Sequence, residues 1–178
     1  QNNQGEGVRL NGSNVDNTVA NNTISNNGQD GIQIDSTGGS CVPNDFNTIT
    51  GNTIQNNGAT GPDEGIRIQG GVCDLIDNNT IDNNGNFDIF MVTAATTDVK
   101  ITNNTFIGSS SDNVIGVFAG ASNNRIAYNT FKDNKETSIV IGDAGTTGNI
   151  VEGNLILRTG LSSGGLRGYG IMIYTAGN

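Results

Sequence analysis

Short runs of alternating apolar and polar residues recur along the whole chain. The segments "NNTISNNG" at 21–28, "GNTIQNNG" at 51–58 and "NNTIDNNG" at 78–85 each place one apolar residue between polar neighbours. Alternation over so few residues is typical of β-strands, whereas a helix would space its apolar residues three and four apart. The pattern therefore predicts many short strands, separated by corners that are rich in Asn and Gly.

A repeat becomes visible when the copies are aligned on the Asn that stands two residues before the apolar position. This asparagine recurs at spacings of 30, 27, 25, 25 and 25 residues, as Asn22, Asn52, Asn79, Asn104, Asn129 and Asn154. The apolar column two residues later contains Ile24, Ile54, Ile81, Phe106, Phe131 and Ile156. Another apolar column, three residues before the asparagine, contains Val19, Ile49, Ile76, Ile101, Ile126 and Val151. Agreement of all copies at these columns indicates a repeat architecture.

A third strand-like segment follows most copies of the repeat. It is "GIQI" at 31–34, "GIRI" at 65–68, "DIFM" at 88–91, "SIVI" at 138–141 and "GIMI" at 170–173. The fourth copy has "VIGV" at 114–117, whose register the sequence leaves open, and "GVRL" at 7–10 looks like the same strand of an earlier turn. Each repeat therefore predicts three short strands.

A unit with one apolar column per strand can bury that column only by stacking on further units. Strands stack about 4.8 Å apart, so the chain, residues 1–178, predicts one solenoid domain of about six to seven rungs. In such a stack the Asn22 column forms a ladder, because each side-chain amide can bond the amides above and below it. Asn also tolerates the left-handed backbone that a sharp corner requires.

The pattern N-x-I-x-x-N-x-I-x-N-N-G-x-x-G-I-x-I fits Asn17–Ile34 and, with an insertion, Asn47–Ile68. In these residues the chain resembles the right-handed parallel β-helix repeat proteins of the broad pectate-lyase-like group, and the resemblance covers essentially the whole chain. It implies an all-β fold, a right-handed single-stranded parallel β-helix. It says little about function, since that fold carries lyases, hydrolases, epimerases, phage tailspikes and adhesins.

Composition narrows the range of partners and cofactors. The net charge is −9 with only 8 basic residues, which disfavours nucleic acid, because affinity for phosphate comes largely from Lys and Arg. Acidic polysaccharides are disfavoured too, unless a divalent cation such as Ca²⁺ forms a bridge. The chain has no His, and histidine is the commonest general base and the commonest metal ligand in proteins. We therefore expect no cofactor. No apolar stretch approaches the about 20 residues of a membrane span.

The two cysteines fall in equivalent turns of consecutive rungs. Cys41 lies seven residues after Ile34, and Cys73 lies five residues after Ile68. This placement predicts a disulfide, and with it an extracellular, cell-surface or periplasmic location. The alternative is a pair of reduced, buried thiols. A metal site is not expected from two cysteines without histidine.

Three segments depart from the repeat and predict loops, where a solenoid can carry function. They are residues 35–46, 59–64 and 159–168. The second and third interrupt their rungs at the same place, so they are expected on the same side of the solenoid.

Lys100, Arg125 and Asp77 form the best catalytic candidate in the sequence. Lys100 and Arg125 occupy one outward column on neighbouring rungs, and Asp77 belongs to the adjacent outward column. Arg67, which projects from the third strand near the loop at 63–64, is a further candidate. The alternative interpretation is a solvated face with incidental salt bridges.

The family resemblance gives only partial support to an enzyme. Lyases and epimerases of this fold abstract a proton next to a carboxylate with a Lys, Arg, His or Tyr base, while cations or Ca²⁺ neutralise the acid. The hydrolase branch uses a Gly-His-Gly segment and the epimerase branch a His, and this chain has neither. Asp74, Asp77 and Asp82 are spread along one rung, and Asp88 lies at the start of its next strand.

Two functional hypotheses follow from these observations. The sequence favours a secreted or cell-surface structural and interaction module, such as an appendage, fibre or adhesin-like segment that contacts glycans. The alternative is a carbohydrate-active enzyme related to polysaccharide lyases. Neither end of the sequence shows a capping helix, so the expected partners are further rungs of a longer chain or copies stacked end to end. Ice binding is disfavoured, because the column beside the regular Thr23–Thr130 column is irregular.

Overall fold

The computed structural model describes residues 3–12, 16–36, 41, 46–58, 61, 63–109, 113–159 and 168–174. In this part of the chain the backbone forms nineteen β-strands, numbered β1 to β19 in chain order, and no helix. The strands belong to three parallel sheets, which together form the solenoid predicted from the repeat.

Sheet 1 contains seven strands and takes up the third strand-like segment of each repeat. These are Val8–Gly12 (β1), Ile32–Ser36 (β4), Ile66–Gln69 (β7), Phe87–Val92 (β10), Asn113–Val117 (β13), Thr137–Ile141 (β16) and Ile171–Ile173 (β19). Sheet 2 has six strands, namely Thr18–Ala20 (β2), Thr48–Thr50 (β5), Leu75–Asp77 (β8), Lys100–Thr102 (β11), Arg125–Ala127 (β14) and Ile150–Glu152 (β17). Sheet 3 has six strands, namely Thr23–Ser25 (β3), Thr53–Gln55 (β6), Thr80–Asp82 (β9), Thr105–Ile107 (β12), Thr130–Lys132 (β15) and Leu155–Leu157 (β18).

Each strand from β1 to β16 pairs in parallel with the strand three places later in the chain. Three strands per rung were predicted, and this is confirmed. The chain makes about five full turns from β2 to β17. The number of turns is slightly lower than the six to seven rungs counted from the sequence, because six stacked strands are separated by only five turns.

The core consists of the inward columns of all three sheets. Register pairs like with like, so Ile49 lies between Val19 and Ile76, and Phe106 stacks on Phe131 with ring centres 4.8 Å apart. The register of β13, which the sequence left open, places Ile115 between Ile89 and Ile139. The side chains of Ile49, Phe106, Phe131 and Ile115 are fully buried. Burial of apolar area is the main force that holds the rungs together.

The Asn22 column forms the predicted ladder. On each rung the backbone N–H of this asparagine donates to Oδ1 of its counterpart on the next rung, at 2.8–2.9 Å. The side-chain Nδ2 donates to the same oxygen at 2.9–3.1 Å. The left-handed corner residue is the one before the ladder, for example Asn78 (φ 55°) and Asn103 (φ 54°). The corner and the ladder are therefore served by different members of each Asn-Asn pair.

Two further ladders were missed at the level of sequence. One runs from Asn27 through Asn57 and Asn84 and ends on the carboxyl of Asp88. The other runs from Asn17 through Asn47 and ends on Asp74. Along the chain the Asn84 position is followed 25 residues later by Ser109 and the Asp74 position by Val99, so the amide series is interrupted in both columns. It resumes on the next rung, where Asn134 Oδ1 accepts from the Ser109 backbone N–H and Asn124 Oδ1 accepts from the Val99 backbone N–H.

Candidate ligand-binding face

The outward face of sheet 1 contains a polar groove next to an aromatic patch. The groove encloses about 320 Å³ and is lined by polar residues alone: Glu6, Arg9, Gln29, Asp30, Gln33, Asp63, Arg67 and Gln69. The aromatic patch consists of Phe87, Phe90, Phe118 and Tyr174. Sequence alternation explains the outward position of Gln33 and Arg67, which lie between inward isoleucines of β4 and β7, and of Phe90, which lies between the buried Ile89 and Met91 of β10.

Strand register brings the central groove residues together from distant parts of the chain. Arg9 lies beside Gln33, and Gln33 lies beside Arg67, on three successive strands of sheet 1. The next member of this outward column is Phe90, the register partner of Arg67. The groove therefore passes into the aromatic patch within a single strand spacing.

Both groove arginines are held by neighbouring acceptors. Arg9 donates from Nη1 to Glu6 at 3.3 Å and from Nη2 to Asp35 at 2.7 Å. Arg67 Nη1 lies 3.5 Å from Glu64 Oε2. With its amide oxygen turned towards Arg67, Gln69 accepts from Nε at 3.0 Å and from Nη2 at 2.7 Å. Each guanidinium group thus has two acceptors within the chain.

Asp30 and Glu64 form a buried carboxyl pair at one side of the groove. Their exposed fractions are 3% and 1%, and the Glu64 backbone N–H donates to Asp30 Oδ1 at 2.7 Å. Burial raises the pKa of Glu64 to about 8, Asp30 adds to the increase, and Arg67 opposes it. Burial likewise raises the pKa of Asp30. At neutral pH the pair therefore holds a proton that two ordinary carboxyl groups would have released.

The aromatic patch is built from rings that contact one another. Phe87 and Phe90 stack with ring centres 4.8 Å apart and planes 13° apart. Phe118 meets Phe87 edge-on at 6.0 Å, and Tyr174 lies 6.4 Å from Phe118. Tyr174 keeps 38% of its surface exposed. Ring pairs in such geometries gain stability from both area and quadrupole interactions.

Two glycines make room for these rings, one in β13 and one directly after β16. A Cβ on Gly116 would come within 2.7 Å of ring carbons of Phe87 and Phe118. A Cβ on Gly142 would come within 2.6 Å of the Tyr174 ring. The rings therefore pack directly against the backbone at these two positions.

Lys100 and Arg125 lie side by side on neighbouring strands of sheet 2, as the sequence predicted. Arg125 Nη2 lies 2.6 Å from Glu152 Oε1, and its guanidinium carbon lies 5.3 Å from the centre of the Tyr128 ring. Asp77 lies in the adjacent outward column of sheet 2, where it pairs in register with Thr102. A catalytic role of Lys100 and Arg125 stays a prediction.

Asp77 has hydrogen-bond partners of its own, and Arg67 belongs to another sheet. Asp77 Oδ1 accepts hydrogen bonds from Thr102 Oγ1 at 2.6 Å and from Asn103 Nδ2 at 2.7 Å. Arg67 belongs to sheet 1 and lines the polar groove. The sequence did contain a signal for the groove, because "GVRL", "GIQI" and "GIRI" carry Arg, Gln and Arg at one aligned position.

Cys41 and Cys73 form the predicted disulfide, with Cα atoms 5.6 Å apart. Together with Asp98 they are the one group of three potential metal ligands found in the described residues, but the two sulfurs are bonded to each other. Among those same residues no helix is long and apolar enough to cross a membrane.

The predicted loop at 35–46 begins later than expected, since residues 35 and 36 extend β4. Most of the remaining residues of the three predicted loops lie outside the described ranges.

Comparison with known proteins adds the family. Residues 6–178 match the family model of the right-handed β-helix region. No match is found among curated proteins or among solved structures. The family model spans nearly the entire chain and agrees with the three stacked parallel sheets, so the chain belongs to the right-handed β-helix family.

Proposed function

We propose that this chain is a secreted β-helix module that binds a glycan along the outward face of sheet 1. The observation that carries the proposal is the continuity of the polar groove and the aromatic patch, where Arg67 and Phe90 are direct register neighbours. Planar polar side chains suit the hydroxyl groups of a sugar, and aromatic rings suit its apolar C–H faces. One face of this module offers both.

The geometry supports a ligand that runs parallel to the solenoid axis. Successive strands of sheet 1 present Gln33, Arg67 and Phe90 at steps of about 4.8 Å. An extended glycan lying along this column would meet the polar groove first and the rings afterwards. A small compact ligand would use only part of this surface.

The disulfide supports a location outside the cytosol. Cys41 and Cys73 join two consecutive turns of the solenoid, and structural disulfides persist mainly in oxidising compartments. An extracellular, surface or periplasmic location therefore remains part of the proposal.

Calorimetric titration of the purified chain against a panel of soluble oligosaccharides tests the proposal. Phe90→Ala should weaken binding about tenfold, because aromatic contacts at a binding surface commonly contribute more than 1 kcal/mol. Tyr128→Asn is a matched control, since it removes a ring that is 55% exposed on another face and keeps a residue that tolerates the φ of 59°. Absence of binding to the whole panel, or equal losses in both variants, would contradict the proposal.

A polysaccharide lyase is the second candidate, and the adjacency of Lys100 and Arg125 is the observation in its favour. The ion pair between Arg125 and Glu152 points instead to a structural role for that arginine. Release of unsaturated uronides, with and without Ca²⁺, would distinguish the two candidates. Unchanged release after Lys100→Ala and Arg125→Ala would exclude this pair as the catalytic group.

We also propose that a further parallel rung covers the last described rung. Its apolar side chains include Ile150, Leu155, Ile171 and Ile173, which are 46–71% exposed. The ladder is polar in direction, because each rung's backbone N–H donates to the side-chain oxygen of the next rung. A rung with an asparagine at the same position, from this chain or from a second copy, would continue both the core and the ladder.

A further inference from the structure

We infer that the glycan bound on sheet 1 is uncharged, which refines the proposed function and rests on it. The inference follows from the charge of the polar groove, from the bonds already made by its arginines, and from the arrangement of its carboxylates. Polyuronides, which an arginine-containing groove would suggest at first sight, fit these features poorly.

The groove is acidic despite its two arginines. Glu6, Asp30 and Asp63 line it, and Asp35 adds a fourth carboxylate against Arg9. Glu64 contributes no charge in this account, since the pair that it forms with Asp30 holds a proton. Four carboxylates therefore face two guanidinium groups, and the chain as a whole carries a charge of −9. Both the local and the global field oppose an anionic ligand.

The arginines already bond acceptors of the groove. Arg9 uses both Nη atoms on Glu6 and Asp35, and Arg67 is bonded by Glu64 and Gln69. Each guanidinium carries five N–H donors, so some remain, but a uronate that bound either guanidinium in a bidentate way would compete with these acceptors. Sugar hydroxyl groups meet no such conflict, because a hydroxyl both donates and accepts, so it can bond the carboxylate and amide oxygens as well as the remaining N–H groups.

A cation bridge does not remove the conflict. Ca²⁺ takes six to eight oxygen ligands, whereas the groove carboxylates of the described residues do not gather in threes within ligand distance of one another. The acidic residues are instead distributed along the groove, and two of them, Glu6 and Asp35, are bonded to Arg9. This distribution suits hydroxyl groups that are spaced along a neutral chain.

Titration with two sets of probes tests the inference. The uncharged set is cellohexaose, mannohexaose and xylohexaose, and the charged set is hexagalacturonate and hexamannuronate, each with excess Ca²⁺ and with EDTA. We expect at least one uncharged probe to bind about tenfold more tightly than either uronate in both conditions. Its affinity should change little with NaCl concentration, because no ion pair forms with the ligand.

The outcomes separate the inference from the proposed function. A uronate that binds as tightly as the uncharged probes, in either condition, would overturn the inference, and loss of that binding in Phe90→Ala would still support a glycan site on sheet 1. Failure of every probe to bind would overturn both. Thermal unfolding of each variant shows whether a loss of binding reflects a loss of folding.

Glu6→Gln and Glu152→Gln remove the same charge from the groove and from sheet 2, and only the first should improve uronate binding.

Discussion

The Asn22 ladder and the outward face of sheet 1 lie on the same rungs but differ in how they use the repeat. The ladder keeps one residue type at Asn22, Asn52, Asn79, Asn104, Asn129 and Asn154. The central column of sheet 1 changes at nearly every rung, through Arg9, Gln33, Arg67, Phe90, Gly116, Val140 and Met172. Uniform columns specify the shape of the solenoid, and the variable column gives one face its own chemistry.

The physical reason is the direction in which each column points. A ladder amide is buried and bonded to the rung above and the rung below, so any change leaves polar groups of two rungs without partners. An outward side chain of sheet 1 is limited mainly by its neighbours on the surface. Substitutions in the two regions should therefore separate stability from binding.

The largest effect is expected from Asn104→Ala, in the middle of the ladder. Asn104 accepts from the backbone N–H of Asn79 and donates to the carbonyl groups of Ile76 and Thr102, all at 2.9 Å. We expect a loss of about 4 kcal/mol in the free energy of unfolding, because each buried polar group left without a partner costs about 1–3 kcal/mol. Urea denaturation followed by circular dichroism measures this loss.

Gln33→Ala is the matched variant on the variable face. It should change the free energy of unfolding by less than about 1 kcal/mol, as surface substitutions usually do, and should weaken glycan binding. Equal destabilisation by Asn104→Ala and Gln33→Ala would show that substitutions in the ladder and on the outward face of sheet 1 do not separate stability from binding.

The next largest effect is expected from removal of the disulfide. One of its cysteines, Cys41, lies in the segment 35–46 that departs from the repeat. The bond links residues that are 32 apart in sequence. On the chain-entropy model, a loop of this length predicts a loss of about 3.7 kcal/mol in the double variant Cys41→Ser, Cys73→Ser. Neither cysteine lines the groove, so glycan affinity should stay within about twofold of wild type.

Reduction of the wild-type chain provides the control for that variant. Dithiothreitol should lower the free energy of unfolding of the wild type to the level of the double variant and leave the variant unchanged. If the reductant has no effect on the wild type, the bond does not contribute to stability.

The fold was predictable because the same periodic signal occurs in every copy of the repeat. Val19, Ile49 and Ile76 are alike in type and position, and parallel register pairs them directly. The Asn27 ladder was not predictable in the same way. In each Asn-Asn-Gly segment two adjacent amides have different roles, the first in a left-handed corner, such as Asn26 (φ 56°), and the second in the ladder.

The binding face was harder to predict than the fold, since its neighbours are far apart in sequence. The proximity of Arg67 and Phe90 depends on the register of β7 and β10, and the aromatic patch depends on the space above Gly116. The β13 segment offers apolar residues at adjacent positions, so pattern alone left its register undefined. The pKa of Glu64 depends on burial, which no local pattern of residues reveals.

The smallest effect on the free energy of unfolding near pH 5 is expected from Glu64→Gln, at a buried position beside the polar groove. The pKa of a glutamate is 4.5 in an ordinary setting and about 8 for Glu64 in the folded chain. Between these values the folded chain keeps a proton that the unfolded chain has released, so the free energy of unfolding falls as the pH rises from about 4.5 to about 8. Glutamine resembles the protonated carboxyl and does not titrate, so the variant should lose less stability than the wild type between pH 5 and pH 9.

Asp88→Asn separates this effect from the other buried carboxyl groups. Burial raises the pKa of Asp88 to about 6, hence this variant should flatten only the part of the stability profile below about pH 6. Urea denaturation at several pH values compares the three chains. Equal slopes for Glu64→Gln and wild type between pH 6 and pH 8 would show that the Asp30–Glu64 pair does not hold its proton there. The groove would then carry a fifth carboxylate charge. This would strengthen the preference for an uncharged glycan, because a fully ionised pair makes the groove more acidic and holds Arg67 more tightly.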